Sequence, residues 1–249
     1  MVFSLSKQEA AELARDGELK VAVAVGPATS AVWCVRDPAT GKARGVTVSL
    51  AEAIARNTGL ALRLVEFESS GDIVQNANDD LWTLSFVPID SDRREKLSVG
   101  PDYYLGVSTY LTRSDAFQTV ADVDHDGVRV AGVAGTATFR SAERSLKRAK
   151  LTAIASLDEA MRLFTAREID ALALGKESIL SVVAKVAGTH AVAGHFHEAG
   201  TAIVVPRGRP HALAAATRMI EELKRDGTVR AAFDAVGMTH ADVAPPRAV

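Results

Sequence analysis

Residues 45–67 read GVTVSLAEAIARNTGLALRLVEF, and this stretch decides the fold. Leu50, Ala53 and Ile54 share one helical face, and Gly59 supplies a stop. Ser49 and Glu52 have the spacing of a capping box, so the helix is expected to start there. Residues 61–67 follow as a strand. Upstream, residues 19–25 (LKVAVAV) form a valine-rich run that reads as a first strand buried on both faces. Strand, loop, helix and strand in that order make a βαβ unit, which implies a parallel sheet with right-handed crossovers.

Outward from this unit, Ser6 and Glu9 form another capping box, and Gly17 closes a short N-terminal helix. Residues 26–31 are a turn of small residues leading to Trp33. Residues 36–45 (RDPATGKARG) have the content of a hairpin tip or loop. Downstream, residues 69–80 give a weak helix, and then comes LSFVPIDSDRREKLSVGPDYY at 84–104. Leu84 to Val87 reads as a buried strand that ends at Pro88, which has no N–H for a central ladder. Residues 89–92 make a polar turn, with Arg93 and Arg94 directly after it. An arginine just past a central strand sits where open α/β sheets bind ligands. Its planar guanidinium can hold a carboxylate with two parallel hydrogen bonds, although a solvated surface turn would look the same in isolation.

Two of these segments resemble a known family. TGKARGVTVSLAEAIARNTG is similar to the "G..xGFDVDLxxAIAxxLG" signature, and SDRREKLSVGPDYY to the "ITxERxxxxxFSxPY" segment, of amino-acid-type solute-binding proteins of ABC transporters. The resemblance runs from Leu19 to about Met238. It implies an α/β, two-lobe periplasmic-binding-protein-like (type II) fold. Each lobe would be a mostly parallel sheet flanked by helices, and two hinge strands would join them. Lobe 1 would be residues 1–110 plus 195–249, with lobe 2 (111–194) inserted and the ligand held between the lobes.

The second half fits that organisation. Residues 119–126 are a polar connection resembling the family's "v.DLdGk.Vav" junction. Strands are expected at 128–133, 151–155, 169–174, 191–196 and 201–205. Helices are expected after 135, with Ala142, Leu146 and Ala149 along the apolar face, and after Ser156, which with Glu159 makes a capping box. Further helices are expected at 178–187, 211–225 and 228–236. No repeat or low-complexity segment interrupts them.

The resemblance also carries residue roles. Arg93 would hold the ligand's carboxylate. The loop of Gly135, Thr136, Ala137 and Thr138 would help from the second lobe. It leads into a helix N-terminus, where unpaired N–H groups and the dipole favour an anion. Plain N-capping by Thr136 or Thr138 is compatible with that role. Two departures bear on specificity. Pro88 stands where the family offers a Ser or Thr hydroxyl, leaving only a carbonyl. Gly175, in IDALALGKES, stands at the end of the family's "ADAVxxD", whose Asp pairs with the ligand's α-ammonium. Lys176 follows, either as a surface lysine or as a partner for a second anionic group. We therefore expect a simple carboxylate or dicarboxylate to bind at least as well as its α-amino analogue. Trp33, Tyr103 and Tyr104 are candidate aromatic cover, with packing as the alternative use.

Composition narrows the field. The chain has 249 residues, 29 Lys plus Arg against 31 Asp plus Glu, and a net charge of -2, so nothing favours nucleic acid. No apolar stretch is long enough to span a membrane. The single cysteine, Cys34, excludes an internal disulfide and reads as a buried hydrophobe more readily than as a nucleophile. His195 and His197 alternate on a strand, but two histidines without a third ligand make no metal site. No nucleophile elbow, P-loop or dinucleotide fingerprint is present. Relatives that resemble cyclohexadienyl dehydratase use an acid at the position of Gly175, so that catalysis is not expected. We expect a monomeric, non-enzymatic binding protein without cofactor or metal. Its partners would be a small carboxylate ligand and, by the resemblance, an ABC permease. A cytoplasmic enzyme or sensor on the same fold, and a binding fold that has lost its ligand, are the alternatives. Lys7, Glu9, Glu12, Arg15 and Asp16 and the short apolar run at 21–25 give no recognisable export signal, whereas the resemblance implies the periplasm.

Overall fold

The computed structural model describes residues 3–25, 32–113, 115–134 and 136–247. The expected turn at 26–31 lies outside them. The chain divides into two compact units, Met1–Leu105 with Gly200–Val249, and Gly106–Ala199.

In the first unit, α1 (Lys7–Leu13) precedes β1 (Glu18–Ala24). Ser6 and Glu9 make the expected reciprocal capping box. The short strands β2 (Val35–Arg36) and β3 (Ala43–Arg44) pair antiparallel, as a hairpin should. Then come α2 (Val46–Thr58), β4 (Ala61–Phe67), α3 (Ser70–Gln75), β5 (Leu84–Pro88), α4 (Ser91–Lys96) and β6 (Leu97–Arg113). β1 pairs parallel with β4 on one side and with β5 on the other. The chain thus crosses from one side of β1 to the other between β4 and β5, which makes β1 a topological switch point.

Two local expectations are corrected. Helix α2 starts at Val46, not after Ser49, and Ser49 with Glu52 does not cap it. Its first turn is held instead by the Trp33 carbonyl, which accepts both the Thr47 N–H (3.1 Å) and the Thr47 hydroxyl (2.7 Å). Gly45 enters the helix at φ 141°, a conformation that favours glycine, and this lets Val46, Thr47 and Val48 all be buried. The polar turn after Pro88 continues into a helix, α4, because the Asp90 carboxylate accepts the Arg93 N–H at 2.9 Å. Residues 98–101 lie in the long strand β6 that follows. There Gly100 lies so close to Ile203 that a Cβ would sit 2.8 Å from its side chain.

The second unit contains α5 (Val120–Val123), β7 (Arg129–Val133), α6 (Ala137–Ser145), β8 (Lys150–Ile154), α7 (Leu157–Thr165), β9 (Ala171–Gly175), α8 (Lys176–Val183) and β10 (Thr189–Ala191). β7 is parallel to β8 and β9, while β6 and β9 pair antiparallel. Helix α6 ends before Leu146 and Ala149. The Asp124 carboxylate accepts the N–H groups of Lys147, Arg148 and Ala149 at 2.8–3.0 Å, donors a longer helix would have used internally. The connection expected at 119–126 contains the short helix α5, capped by Thr119.

β11 (His197–Pro206) returns to the first unit and pairs antiparallel with β5. Helices α9 (Pro210–Arg225) and α10 (Thr228–Ala235) complete that unit. Phe233 of α10 packs against Tyr103 and Tyr104 at ring distances of 6.2 and 5.1 Å. Burying such a ring contributes about 1.5–3 kcal/mol. No helix among the described residues is long and apolar enough to cross a membrane.

Candidate functional site

The C-terminal ends of β4, β1 and β5 lie side by side, with Phe67 opposite Ala24. Outside these ends, within the first unit, is a cavity of about 200 Å³. Its apolar wall is Val23 and Ala24 from β1, Phe86 and Pro88 from β5, and Trp33. Its polar wall is Thr47, Glu68, Ser69 and Ser70. A cavity of about 150 Å³ already takes a benzene ring, so this one has the capacity for a small organic molecule. Its place at a switch point is where the loops leaving parallel strands diverge and leave a crevice.

Arg93 is not itself part of the wall, but it is tied to two residues that are. Its Nη1 donates to the Pro88 carbonyl at 2.7 Å and its Nη2 to the Ser70 hydroxyl at 2.9 Å. Asp90 lies 4.0 Å from Nε, and the side chain is 18% exposed. Arg94, by contrast, is exposed, and its carbonyl accepts from Arg207. Chain geometry explains the difference: once Asp90 caps α4, consecutive residues point about a hundred degrees apart around the helix, so only one of two adjacent arginines can turn toward Pro88.

Sequence reasoning singled out Trp33, Pro88 and Arg93, and the fold brings these three together. Trp33 stands edge-on to Tyr104 at 6.3 Å. Tyr103 and Tyr104 are buried in the core and do not line the cavity. Glu68 and Ser70 were missed. The signal that could have found them is the Ser69 cap, which fixes where β4 hands over to α3: Ser69 accepts the Asp72 N–H at 3.1 Å. Ser70 accepts from Arg93, and among the described residues its own O–H has no acceptor, which leaves a polarised donor at the wall.

The second unit holds the remaining candidates. Thr136 caps α6, accepting the Phe139 N–H at 3.1 Å while donating to the Val133 carbonyl at 2.8 Å, so its hydroxyl is committed to the helix. Ala137 is the first residue of α6, and Gly135 lies outside the described residues. The Thr138 hydroxyl is bonded to that of Ser108 at 3.1 Å. Gly175 ends β9 and caps α8 with an ordinary extended backbone, and among the described residues a Cβ there would meet only Glu177, at 3.8 Å. Nothing in the backbone therefore requires glycine at that position. Lys176 opens α8 and is half-buried.

His197 is held below the usual imidazole range by burial and then by the neighbouring Arg144 and His195 side chains. Among the described residues no group of three or more His, Cys, Asp or Glu could hold a metal ion. Cys34 is buried, and burial pushes its thiol up to about 11, so it carries no thiolate near neutral pH.

Several solved structures share this fold. An ancestral cationic amino acid solute-binding protein is 19% identical, with 92% of this chain and 99% of that one covered and a TM-score of 0.73. An amino acid ABC transporter substrate-binding protein from Streptococcus pneumoniae, bound to L-arginine, is 18% identical over 96% and 100% of the two chains, with a TM-score of 0.68. An ancestral cyclohexadienyl dehydratase is 22% identical over 94% and 97%, with a TM-score of 0.60. At these identities the likeness speaks for the fold, and the expected two-lobe, type II periplasmic-binding-protein architecture holds. No curated protein matches the chain. The family model that matches covers residues 22–235, and by that match the chain belongs to the bacterial extracellular solute-binding proteins, family 3.

Proposed function

We propose that this protein captures a small carboxylate-bearing ligand, amino-acid-like or an organic acid, for ABC-type transport, and does not transform it. The observation that carries this reading is the guanidinium of Arg93, held by the Pro88 carbonyl and the Ser70 hydroxyl at the wall of the switch-point cavity. A planar donor fixed in orientation loses little freedom on meeting a carboxylate. Trp33 and Phe86 offer apolar contact for the ligand's body. In this reading Thr136, Ala137, Thr138, Gly175 and Lys176 keep the roles that the resemblance gives them. Absence of turnover rests on Gly175, which carries no acid where dehydratase relatives need one.

A thermal-shift panel of amino acids, monocarboxylates, dicarboxylates and aromatic acids, each with its methyl ester, tests the proposal. A ligand at a hundred times its Kd stabilises the protein by about 2.7 kcal/mol. We expect at least one free acid to raise the melting temperature while its ester does not. Equal shifts from acid and ester, or none from any acid, overturn carboxylate capture. Product appearing on prolonged incubation with the strongest binder overturns the non-enzymatic part.

A further inference from the structure

Among the described residues, Glu68 is the one ionisable side chain in the cavity wall. It is exposed, and among the described residues no hydrogen bond or ion pair engages its carboxylate. Arg36, a cation that feels its charge, is already paired with Glu66. Carboxylates on surfaces are usually solvated and mean nothing. This one stands in an otherwise apolar-to-neutral wall, beside a tryptophan, two residues from Ser70, which receives Arg93.

The backbone sets the relation between these two positions. Ser69 is extended (φ -147°, ψ 163°), so Glu68 and Ser70 project to the same side of the chain. Their Cα atoms are separated by roughly 7 Å at the rise of an extended strand. The wall therefore carries an acid at Glu68 and, at Ser70 and Pro88, the two residues to which the Arg93 guanidinium is bonded just behind it. A ligand that satisfies both has a carboxylate and a cationic group separated by a spacer of roughly three to five methylenes.

We propose that Glu68 is the specificity-determining residue of this cavity: it receives a cationic group at the far end of the ligand, while Arg93 and Ser70 receive the carboxylate. The inference rests on the carboxylate-capture reading above and adds the ligand's second charge. It complements Gly175. An α-ammonium, next to the carboxylate, has lost its acid, whereas a distal ammonium gains one. Trp33 also lines the cavity, where its aromatic face can support the cation as it leaves water.

The test is calorimetric titration with three pairs of probes: γ-aminobutyrate with butyrate, δ-aminovalerate with valerate, and ε-aminocaproate with caproate. The unmodified protein should bind the aminated member of at least one pair about tenfold or more tighter. Glu68→Gln should bring that pair together by weakening the aminated member, and should leave the ligand-free melting temperature unchanged, because the side chain holds nothing in place. If plain acids bind but the aminated members bind no tighter, Glu68 reads no cation, and carboxylate capture stands. If the preference survives in Glu68→Gln, the cation is read elsewhere and the inference fails. If no member of any pair binds, carboxylate capture fails and the role of Glu68 with it.

Discussion

Replacing Arg93 by alanine perturbs the proposed site at its centre, and the structure sets two separate magnitudes. The first concerns stability. The substitution removes hydrogen bonds to the Pro88 carbonyl and the Ser70 hydroxyl from a side chain that is 18% exposed. Each bond contributes about 0.5–1.5 kcal/mol net, for a total of about 1–3 kcal/mol. In a chain of this size each kcal/mol moves the melting temperature by about 2–4 °C. The ligand-free protein should therefore melt a few degrees lower but still cooperatively. The second magnitude concerns binding. Taking away one member of a desolvated charge pair costs about 2–5 kcal/mol, or from about thirtyfold to several thousandfold in affinity. Calorimetric titration with the strongest acid from the panel reads the second effect, and a melt without ligand reads the first. Arg94→Ala is the control, since that side chain is exposed, and it should leave both nearly unchanged. Arg93→Lys should recover only part of the affinity, because an ammonium keeps the charge without the planar fork. An Arg93→Ala protein that binds like the parent refutes the reasoning. Loss of binding in Arg94→Ala alone would shift the assignment by one residue.

Other outcomes follow from single positions. Gly175→Asp should raise the affinity for an α-amino acid relative to its deaminated analogue by about tenfold or more, the equivalent of a charge coupling near 1.5 kcal/mol. Room for the side chain exists there, and titration of the pair before and after substitution checks it. Gly100→Ala should destabilise the first unit by about 1–3 kcal/mol, since its Cβ would sit 2.8 Å from the branched Ile203 side chain and 3.1 Å from the Ile203 carbonyl; a thermal melt measures it, and an unchanged midpoint contradicts the packing. Glu9 is held down to about 2 by its bond to Arg218 and by the Ser6 cap, burial opposing them. A carboxylate lowered in the folded state stabilises above its unfolded value and loses that contribution as pH falls toward the folded one. Melting temperature should therefore drop between about pH 4.5 and 2, and Glu9→Gln should flatten that part of the profile.

Local rules made much of this architecture legible in advance. Valine-rich β1, the Ser6–Glu9 box and the Gly59 stop each depend on residues close in sequence, and each reads correctly. The start of α2 did not, because its cap is the Trp33 carbonyl, a main-chain group with no residue signature. The candidate site was half legible for the same reason. Arg93 and Pro88 sit within one short motif. Ser70, which meets Arg93 across 23 positions of chain, becomes a neighbour only because β1 separates β4 from β5 in a parallel sheet. Glu68 reaches the wall through the same pairing, and as a lone acid at a strand end it carries no pattern of its own.

The most direct test is a crystal structure of the protein with the strongest acid from the panel. The account predicts the ligand in the first unit's cavity, its carboxylate at about 2.7–2.9 Å from a guanidinium nitrogen of Arg93, with Trp33 against its body. A ligand bound elsewhere, or one in that cavity whose carboxylate turns away from Arg93, contradicts it.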